Sequence, residues 1–411
     1  MQKIAILARL SWCYLWSRPL AALLNLLLLA LGLGAITLVL LVSTQVDRAF
    51  DRDLQGIDLV VGAKGSPLQL ILAGVFHIDV PTGNIPLPEV QALAQHPMVE
   101  QVIPLSLGDS YLGHRIVGTT PAYVAHYAAS VAHGRLWQQP MEAVLGAAAA
   151  SSLLQPGHAV AALPGAQFVG SHGLGGGGHA HGDQPYTVAG VLAPCDCVLD
   201  RLILTSTESV WQVHETQLAT DEDDLKALQA EREVTVTLVR YRTPLAAVTL
   251  PRLVNAGTAL QAAAPAIEVT RLLRLLGVGA DLLRAVGGVL LAVSTLSVFI
   301  ALWNAVRERR ADLAMLRMLG APPGRVASLL LCEALWLALL ASGLGLLLGH
   351  GLAQVLGALL QAQGLLPVTG RLWLPAEAGV PLLAVAVAAV AALLPALQAY
   401  RTDVADLLAQ P

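Results

Sequence analysis

Four long apolar windows constrain this chain of 411 residues more than any other feature. They cover residues 19–42, 284–303, 326–350 and 379–397. Each window is long enough, as a helix, to cross the hydrocarbon core of a bilayer, which is about 30 Å thick. The composition agrees, because 55% of the residues are hydrophobic and only 13% are charged. The windows therefore predict a membrane protein with four transmembrane helices.

The spacing of the windows predicts one helix, then a large domain, then three helices. Residues 44–272 lie between the first and second windows and have the mixed composition of a folded domain with its own core. Runs rich in β-branched residues alternate there with helical stretches, and the strand-like runs cover residues 115–119, 186–193, 201–206 and 234–241. The expected fold class is an α-helical membrane protein with four transmembrane helices and a large α/β domain between helices 1 and 2.

The distribution of lysine and arginine predicts the orientation. Lys3, Arg9 and Arg18 precede the first window, and Arg401 follows the fourth. The short connection between the second and third windows contains Arg307, Arg309, Arg310, Arg317 and Arg325. Short loops rich in lysine and arginine stay on the cytoplasmic side of a membrane. Both ends of the chain are therefore expected to be cytoplasmic, and the inserted α/β domain is expected to be extracytoplasmic.

These observations divide the chain into consecutive segments. The cytoplasmic N-terminus and first helix take residues 1–43, and the outer domain takes residues 44–272 with a loop rich in histidine and glycine at 170–184. A stalk and the second helix follow at 273–304, and a cytoplasmic helix at 305–325. The third helix covers 326–350, an outer connection 351–378, and the fourth helix with the cytoplasmic C-terminus 379–411.

The cytoplasmic connection reads "WNAVRERRADLAMLRMLGAPPGRV". Leu313, Leu316 and Leu319 are three residues apart and share one face of a short helix, which Gly320 and the following prolines end. Charged residues surround that face: Arg307, Glu308, Arg309, Arg310, Asp312 and Arg317. Two interpretations remain open at this point. The helix rests on the inner leaflet of the membrane, or it docks into a cytoplasmic partner.

The apolar windows contain few strongly polar residues apart from Asn25, Asn304 and Glu333. A pathway for ions or solutes through a membrane normally contains buried ionisable groups, so the windows do not support a channel. Gly345 and Gly349 form a G-x-x-x-G pattern in the third window, which permits close packing of helices. This pattern predicts a dimer seam at these two glycines.

The two ends and the cytoplasmic connection of the chain resemble one known family. The opening "ARLSWCYLWSRPLAALLNLLLLALGLG", the connection "RERRADLAMLRMLGAPPGRV" and the ending "LLPALQAYRTDVADLL" are similar to the permease subunits of MacB/FtsX/LolC-type ABC transporters. The resemblance implies a permease homodimer in which each copy carries an ATP-binding subunit, two in all, against the connection after the second helix. It assigns Arg307 to Gly320 as the coupling helix, although Ala311 and Asp312 depart from the family pattern.

The resemblance implies a function without catalysis in the chain itself. The sequence has no G-x-x-x-x-G-K-[ST] loop, so ATP must be bound by a separate subunit. The expected protein is a permease in the bacterial inner membrane, with a periplasmic domain that ATP hydrolysis moves for export or extraction of a substrate. The alternative is an FtsX-like scaffold that activates an outer partner without transport. An adaptor or a metal-binding protein in the periplasm is a further expected partner, and a nucleic acid is not.

A loop in the outer domain predicts a metal site. The stretch "VGSHGLGGGGHAHGDQPYTV" contains His172, His179 and His181, and "APCDC" follows with Cys195 and Cys197, where the family usually has hydroxyl residues. Imidazole and thiolate groups together suit zinc, with copper as the alternative. Asp183 and His214 are reserve ligands. Three other interpretations stay open: Cys195 and Cys197 form a disulfide, the cysteines are simply buried, or the glycine run is a solvated linker.

Overall fold

The computed structural model describes residues 2–17, 19–153, 163–173, 184–218, 221–308, 315, 318–319, 321–362 and 368–401. The chain divides into two compact units. One unit consists of Met1–Asp47 and Leu275–Pro411, and the other of Arg48–Arg274. They are termed here the membrane unit and the inserted domain.

The described residues form the following elements. The helices are α1 (Gln2–Leu15), α2 (Pro19–Leu54), α3 (Pro67–Gly74), α4 (Leu87–Ala94), α5 (Pro121–His126), α6 (Ala147–Leu153), α7 (Thr207–Leu218), α8 (Glu222–Ala230), α9 (Ala246–Gly257), α10 (Pro265–Glu308), α11 (Pro323–Ala362) and α12 (Gly379–Arg401). The strands are β1 (Leu59–Ala63), β2 (Ile85–Pro86), β3 (Val99–Tyr111), β4 (His114–Thr119), β5 (Val131–Gly134), β6 (Glu142–Leu145), β7 (Gln167–Phe168), β8 (Ser171–His172), β9 (Tyr186–Leu192), β10 (Ile203–Ser206), β11 (Glu233–Val234), β12 (Val236–Tyr241) and β13 (Leu260–Ala263).

Four of these helices, α2, α10, α11 and α12, are long and apolar enough to cross a membrane. They are the first to fourth spans, and they confirm the predicted order of one helix, an inserted domain and three helices. The helices are longer than the apolar windows. The first continues to Leu54 and the third to Ala362. The reason is that hydropathy locates only the apolar part of a helix, whereas backbone hydrogen bonds continue through its polar turns.

The third span packs against the first span through two glycines. A β-carbon built on Gly345 would lie 2.8 Å from Cβ of Leu33, and one on Gly349 would lie 2.6 Å from Cβ of Thr37. Helix backbones approach this closely only where a side chain is missing. The prediction that Gly345 and Gly349 form a dimer seam is therefore corrected, because the first span of the same chain already covers this face.

Polar contacts join further elements of the membrane unit. The Ser297 hydroxyl donates to Oδ1 of Asn25 at 2.5 Å, which joins the first and second spans. The His350 ring contacts the Glu377 carboxylate through Nε2 at 2.9 Å and the Gly370 carbonyl through Nδ1 at 2.6 Å. These contacts fasten the segment before the fourth span to the third span. Asn25, one of the few polar residues in the windows, thus takes part in helix packing.

The inserted domain is built on one large mixed sheet, as the α/β prediction requires. Its strands follow the order β13-β1-β12-β3-β4-β10-β6-β9-β5, with β7 paired to β9 and β8 paired to β3. The long strand β3 joins two halves of this sheet. It pairs with β12 over Val236–Leu105 and neighbouring residues, and with β4 from Ser106–Gly118 onward. The β4–β10 and β6–β9 pairs are parallel, and the others are antiparallel.

Each half of the sheet has its own hydrophobic core. The first core contains Leu59, Val61, Val239, Leu250 and Val254, among others, and lies between the antiparallel strands and the α4 and α9 helices. The second contains Ile116, Leu145, Phe168, Tyr186 and Ile203, among others. Strand alternation supplies these side chains from one face of each strand. The α7 helix contacts β3, β4 and β10, which brings its residues to the junction of the two halves.

Candidate functional site

Two strands and one helix bring three polar side chains together in the inserted domain. Strand β8 pairs antiparallel with β3, and His172 stands opposite Asp109 in that register. His214 lies on α7, which follows β10 directly. The Nδ1 atom of His172 lies 3.3 Å from Oδ1 of Asp109, and Nε2 of His214 lies 3.6 Å from Oδ2 of the same carboxylate. The carboxylate therefore contacts two imidazole rings, whose centroids are 5.7 Å apart.

Local structure holds this cluster in place. The Gly173 N–H donates to the Gly108 carbonyl at 2.7 Å, and both glycines have positive φ angles, 88° and 154°. Such angles favour glycine, because a β-carbon would clash with the neighbouring backbone. At the start of α7, the Ser206 hydroxyl accepts the Ser209 N–H at 3.1 Å and so caps the helix. The cluster thus stands on paired strands and on a capped helix.

The three side chains differ in exposure. The Asp109 side chain is 1% exposed, whereas those of His172 and His214 are 62% and 33% exposed. One ligand atom from each of the three residues lies within 4.8 Å of the others, and they form the one such group among the described residues. A buried carboxylate beside two accessible imidazoles can share protons with them or hold a cation. Two nitrogen donors and one oxygen donor are a common ligand set for zinc.

A cavity of about 320 Å³ adjoins the cluster and is lined by both histidines. Its lining also includes Glu215, Arg232 and the exposed residues Glu231 and Glu233. Arg232 binds the Glu215 carboxylate through two hydrogen bonds, from Nε at 2.7 Å and from Nη2 at 3.1 Å. This pairing raises the pKa of Arg232 above its usual value. The Glu215 carboxylate thereby balances the charge of Arg232. The carboxylates of Glu231 and Glu233 leave the cavity with an excess of negative charge.

The structure changes the predicted metal-binding set. It places His172 in the cluster together with His214, which the sequence suggested only as a reserve ligand. His179 and His181, like Asp183, lie outside the described residues. Asp109 is absent from the sequence prediction altogether. The available signal was a carboxylate inside the apolar strand "PLSLGDSY", but its partners are distant in the sequence.

Cys195 and Cys197 form a disulfide with each other. This is one of the alternatives that the sequence left open, and it corrects the expectation that both sulfurs act as thiolate ligands. The loop around the disulfide packs on the end of α2. The Val198 N–H donates to Oδ1 of Asp53 at 2.9 Å, and the Arg52 guanidinium donates to the Asp196 carbonyl. The cysteines therefore belong to a structural loop.

Little of the predicted coupling helix lies among the described residues. Arg307 and Glu308 end α10, and Leu319 lies in a turn before α11. Met315, Met318 and Leu319 have exposed side chains. The remaining predicted residues lie outside the described part of the chain: Arg309, Arg310, Leu313, Leu316, Arg317 and Gly320. The coupling role of this segment stays a prediction.

Comparisons with known proteins agree with the order of the elements. Residues 22–261 match the family of MacB-like periplasmic core domains, and residues 284–404 match the FtsX-like permease C-terminal family. The first match alone spans more than half of the 411 residues. No curated protein sequence matches the chain.

Two solved structures are similar to part of the chain. The periplasmic region of MacB from Actinobacillus actinomycetemcomitans shows 13% identity and a TM-score of 0.34, over 53% of this chain and 95% of that one. The extracellular domain of the noncanonic ABC-type transporter YknZ from Gram-positive bacteria shows 16% identity and a TM-score of 0.30, over 50% of this chain and 98% of that one. On the strength of the two family matches, the chain belongs to the MacB/FtsX-like permease family of ABC transporter membrane components.

Proposed function

We propose that this chain is the membrane subunit of an ABC transporter and that a separate ATP-binding chain drives it. One observation carries the proposal: the chain matches both parts of the family of ABC transporter permease components, and this family implies an ATP-binding partner. ATP is therefore bound and hydrolysed by a partner. The free energy of ATP hydrolysis drives a movement of the inserted domain, and this movement exports or extracts a substrate.

The ATP-binding partner docks on the segment from Arg307 to Gly320. Three apolar side chains support this, because Met315, Met318 and Leu319 are 56%, 58% and 80% exposed. Exposed apolar side chains beside arginines are typical of surfaces that bind another protein. A groove of about 220 Å³, lined by residues of α1 and by the start of α11, provides a second apolar surface at the end of this segment.

A continuous helix supports the coupling of the two units. The α10 helix runs without interruption from Pro265 to Glu308, so residues of both units belong to one helix. Displacement of its Glu308 end by the ATP-binding partner therefore acts directly on a helix that continues into the inserted domain.

Co-purification tests the docking surface. The chain is purified with a candidate ABC ATP-binding chain from the same genome, before and after the combined change Arg309→Glu, Arg310→Glu and Leu316→Glu. We expect the variant to lose the partner and the stimulation of ATP hydrolysis. A matched control reverses charge in the inserted domain with Lys226→Glu and Arg252→Glu, both at exposed positions. Partner binding that survives the first variant as well as it survives the control contradicts the proposal.

The proposed assembly is a permease homodimer with two ATP-binding chains in the bacterial inner membrane. Both termini are cytoplasmic and the inserted domain is periplasmic. Because the first span covers Gly345 and Gly349, the second copy contacts other surfaces of the spans. Transport and partner activation use the same movement of the inserted domain. Reconstitution in vesicles distinguishes transport from partner activation, since only a transporter depletes or accumulates a substrate when ATP is supplied.

A further inference from the structure

We propose that Asp109, His172 and His214 form a binding site on the inserted domain for a divalent transition metal. Zinc is the ion that this ligand set favours. The inference does not depend on ATP-driven transport. It replaces the ligand set expected from the sequence, because Cys195 and Cys197 are joined to each other.

The donor groups lie close to the spacing that a zinc ion requires. Ligand bonds of about 2.0–2.2 Å in tetrahedral geometry place neighbouring donor atoms roughly 3.3–3.6 Å apart. The Nδ1 atom of His172 lies 3.3 Å from Oδ1 of Asp109, and the Nε2 atom of His214 lies 3.6 Å from Oδ2, so each imidazole faces a different oxygen of the carboxylate. Both nitrogens meet the same carboxylate, and the three donor atoms lie within 4.8 Å of one another. Small side-chain rotations bring the donors around one ion.

The supporting structure limits how far the donors can separate. The β3–β8 pairing fixes His172 opposite Asp109, and the Ser171 hydroxyl also donates to the Ser110 carbonyl at 3.3 Å. On α7, the residue after His214 is Glu215, which Arg232 holds through its two hydrogen bonds. A site that already holds its donors in position loses less conformational entropy when the ion binds.

The charge and access of the site favour a cation. The adjacent cavity has an excess of carboxylates, which raises the local concentration of positive ions. His172 and His214 both line this cavity, so an ion can reach the donors from solvent. Three protein ligands leave one position of a tetrahedral zinc for water or for a ligand carried by another molecule. The site therefore suits a metal ion that is exchanged or that helps to bind a metal-chelating molecule.

Direct metal binding provides the first test. The full chain is purified in detergent, stripped with a chelator, and titrated with zinc chloride during equilibrium dialysis. We expect about one ion per chain at this site. Removing a residue that hydrogen-bonds to a metal ligand lowers metal affinity by about 10–100-fold, so removing a ligand itself should lower it further. His172→Ala and His214→Ala should therefore each weaken binding at least about 100-fold.

Matched controls separate this site from other histidines. The exposed His133→Ala variant should bind zinc like the parent chain, and so should the double variant His179→Ala with His181→Ala. Unchanged thermal unfolding of each variant shows that the fold is intact. Zinc binding that depends on His179 and His181 but not on His172 and His214 overturns the proposal, as does a folded parent chain that binds no zinc at micromolar concentration.

The absorption spectrum of bound cobalt provides a second test, in which the expected result is a new absorption band. In a chain carrying Cys13→Ser and Cys332→Ser, the further change His172→Cys keeps a metal donor at the same position. Bound cobalt should then show a sulfur-to-metal charge-transfer band that the parent with His172 lacks. Absence of this band in a folded variant that still binds cobalt overturns the assignment of His172.

Discussion

Gly349 and Thr37 meet where the third span crosses the first, and a β-carbon on Gly349 would lie 2.6 Å from the Thr37 β-carbon. The Thr37 hydroxyl is also occupied within its own helix, because it donates to the Leu33 carbonyl at 2.9 Å. The backbone fixes the position of the Thr37 β-carbon, so a side-chain rotation cannot relieve this contact. The glycine is a requirement of packing within one chain.

A larger residue at Gly349 should destabilise the membrane unit. We expect Gly349→Val to cost about 1–3 kcal/mol in the free energy of unfolding, since overpacking forces the first and third spans apart. The loss is measured as a lower unfolding temperature of the full chain in detergent. Gly343 and Gly351 flank this position and have no atom within 4 Å of a built β-carbon. Gly343→Ala and Gly351→Ala are the controls, and an equal loss in all three variants would contradict the packing argument.

The disulfide predicts a specific pattern of thiol reactivity. In a chain carrying Cys13→Ser and Cys332→Ser, a maleimide should not react until a reductant is added. After reduction and unfolding, two thiols should be alkylated, because only Cys195 and Cys197 remain. Mass spectrometry counts the adducts. Alkylation without a reductant in the oxidised, unfolded chain would show that the cysteines are free thiols and would return them to the candidate metal ligands.

The inserted domain should lose stability below the usual pKa of histidine. Burial, with the nearby charges of Arg115 and Arg201, holds the pKa of His77 well below its usual value of 6.5. The folded domain therefore keeps this ring neutral, whereas the unfolded chain takes up a proton as the pH falls below 6.5. Stability is full above that pH and falls below it, by at most about 1.4 kcal/mol per pH unit for one group.

A substitution at His77 measures how much this residue contributes to the loss of stability at low pH. The ring contacts the Tyr123 hydroxyl at 3.1 Å, so His77→Gln keeps a polar partner there but does not titrate. We expect its unfolding temperature to fall less than that of the parent chain between pH 7.5 and pH 5.5. Burial also lowers the pKa of His114 and His126, so part of the acid sensitivity should remain. The exposed His133→Gln is the control. A parent-like dependence in His77→Gln would show that His77 does not cause the loss.

The orientation is tested by single cysteines at exposed positions. In a chain carrying Cys13→Ser and Cys332→Ser, a membrane-impermeant maleimide applied to intact spheroplasts should label Lys226→Cys and Gln139→Cys. It should label Leu319→Cys only after the membrane is opened. These results follow from the distribution of arginine, which keeps the connection after the second span in the cytoplasm. Labelling of Leu319→Cys from outside would reverse the proposed topology.

The sequence alone determined the four spans, their order and the α/β class of the inserted domain. These features depend on local composition and on the period of apolar residues, which a single chain displays directly. His172 could also be selected from the sequence, because a loop rich in histidine and glycine is recognisable by composition.

The tertiary structure decided which residues meet. Asp109, His172 and His214 lie far apart in the sequence, and the β3–β8 pairing and the contacts of α7 bring them together. Packing likewise decided that Gly345 and Gly349 face Leu33 and Thr37 of the same chain, and loop geometry decided that Cys195 bonds to Cys197. Composition identifies residues that are able to bind, pack or oxidise, but their partners depend on strand register and on the contacts between helices.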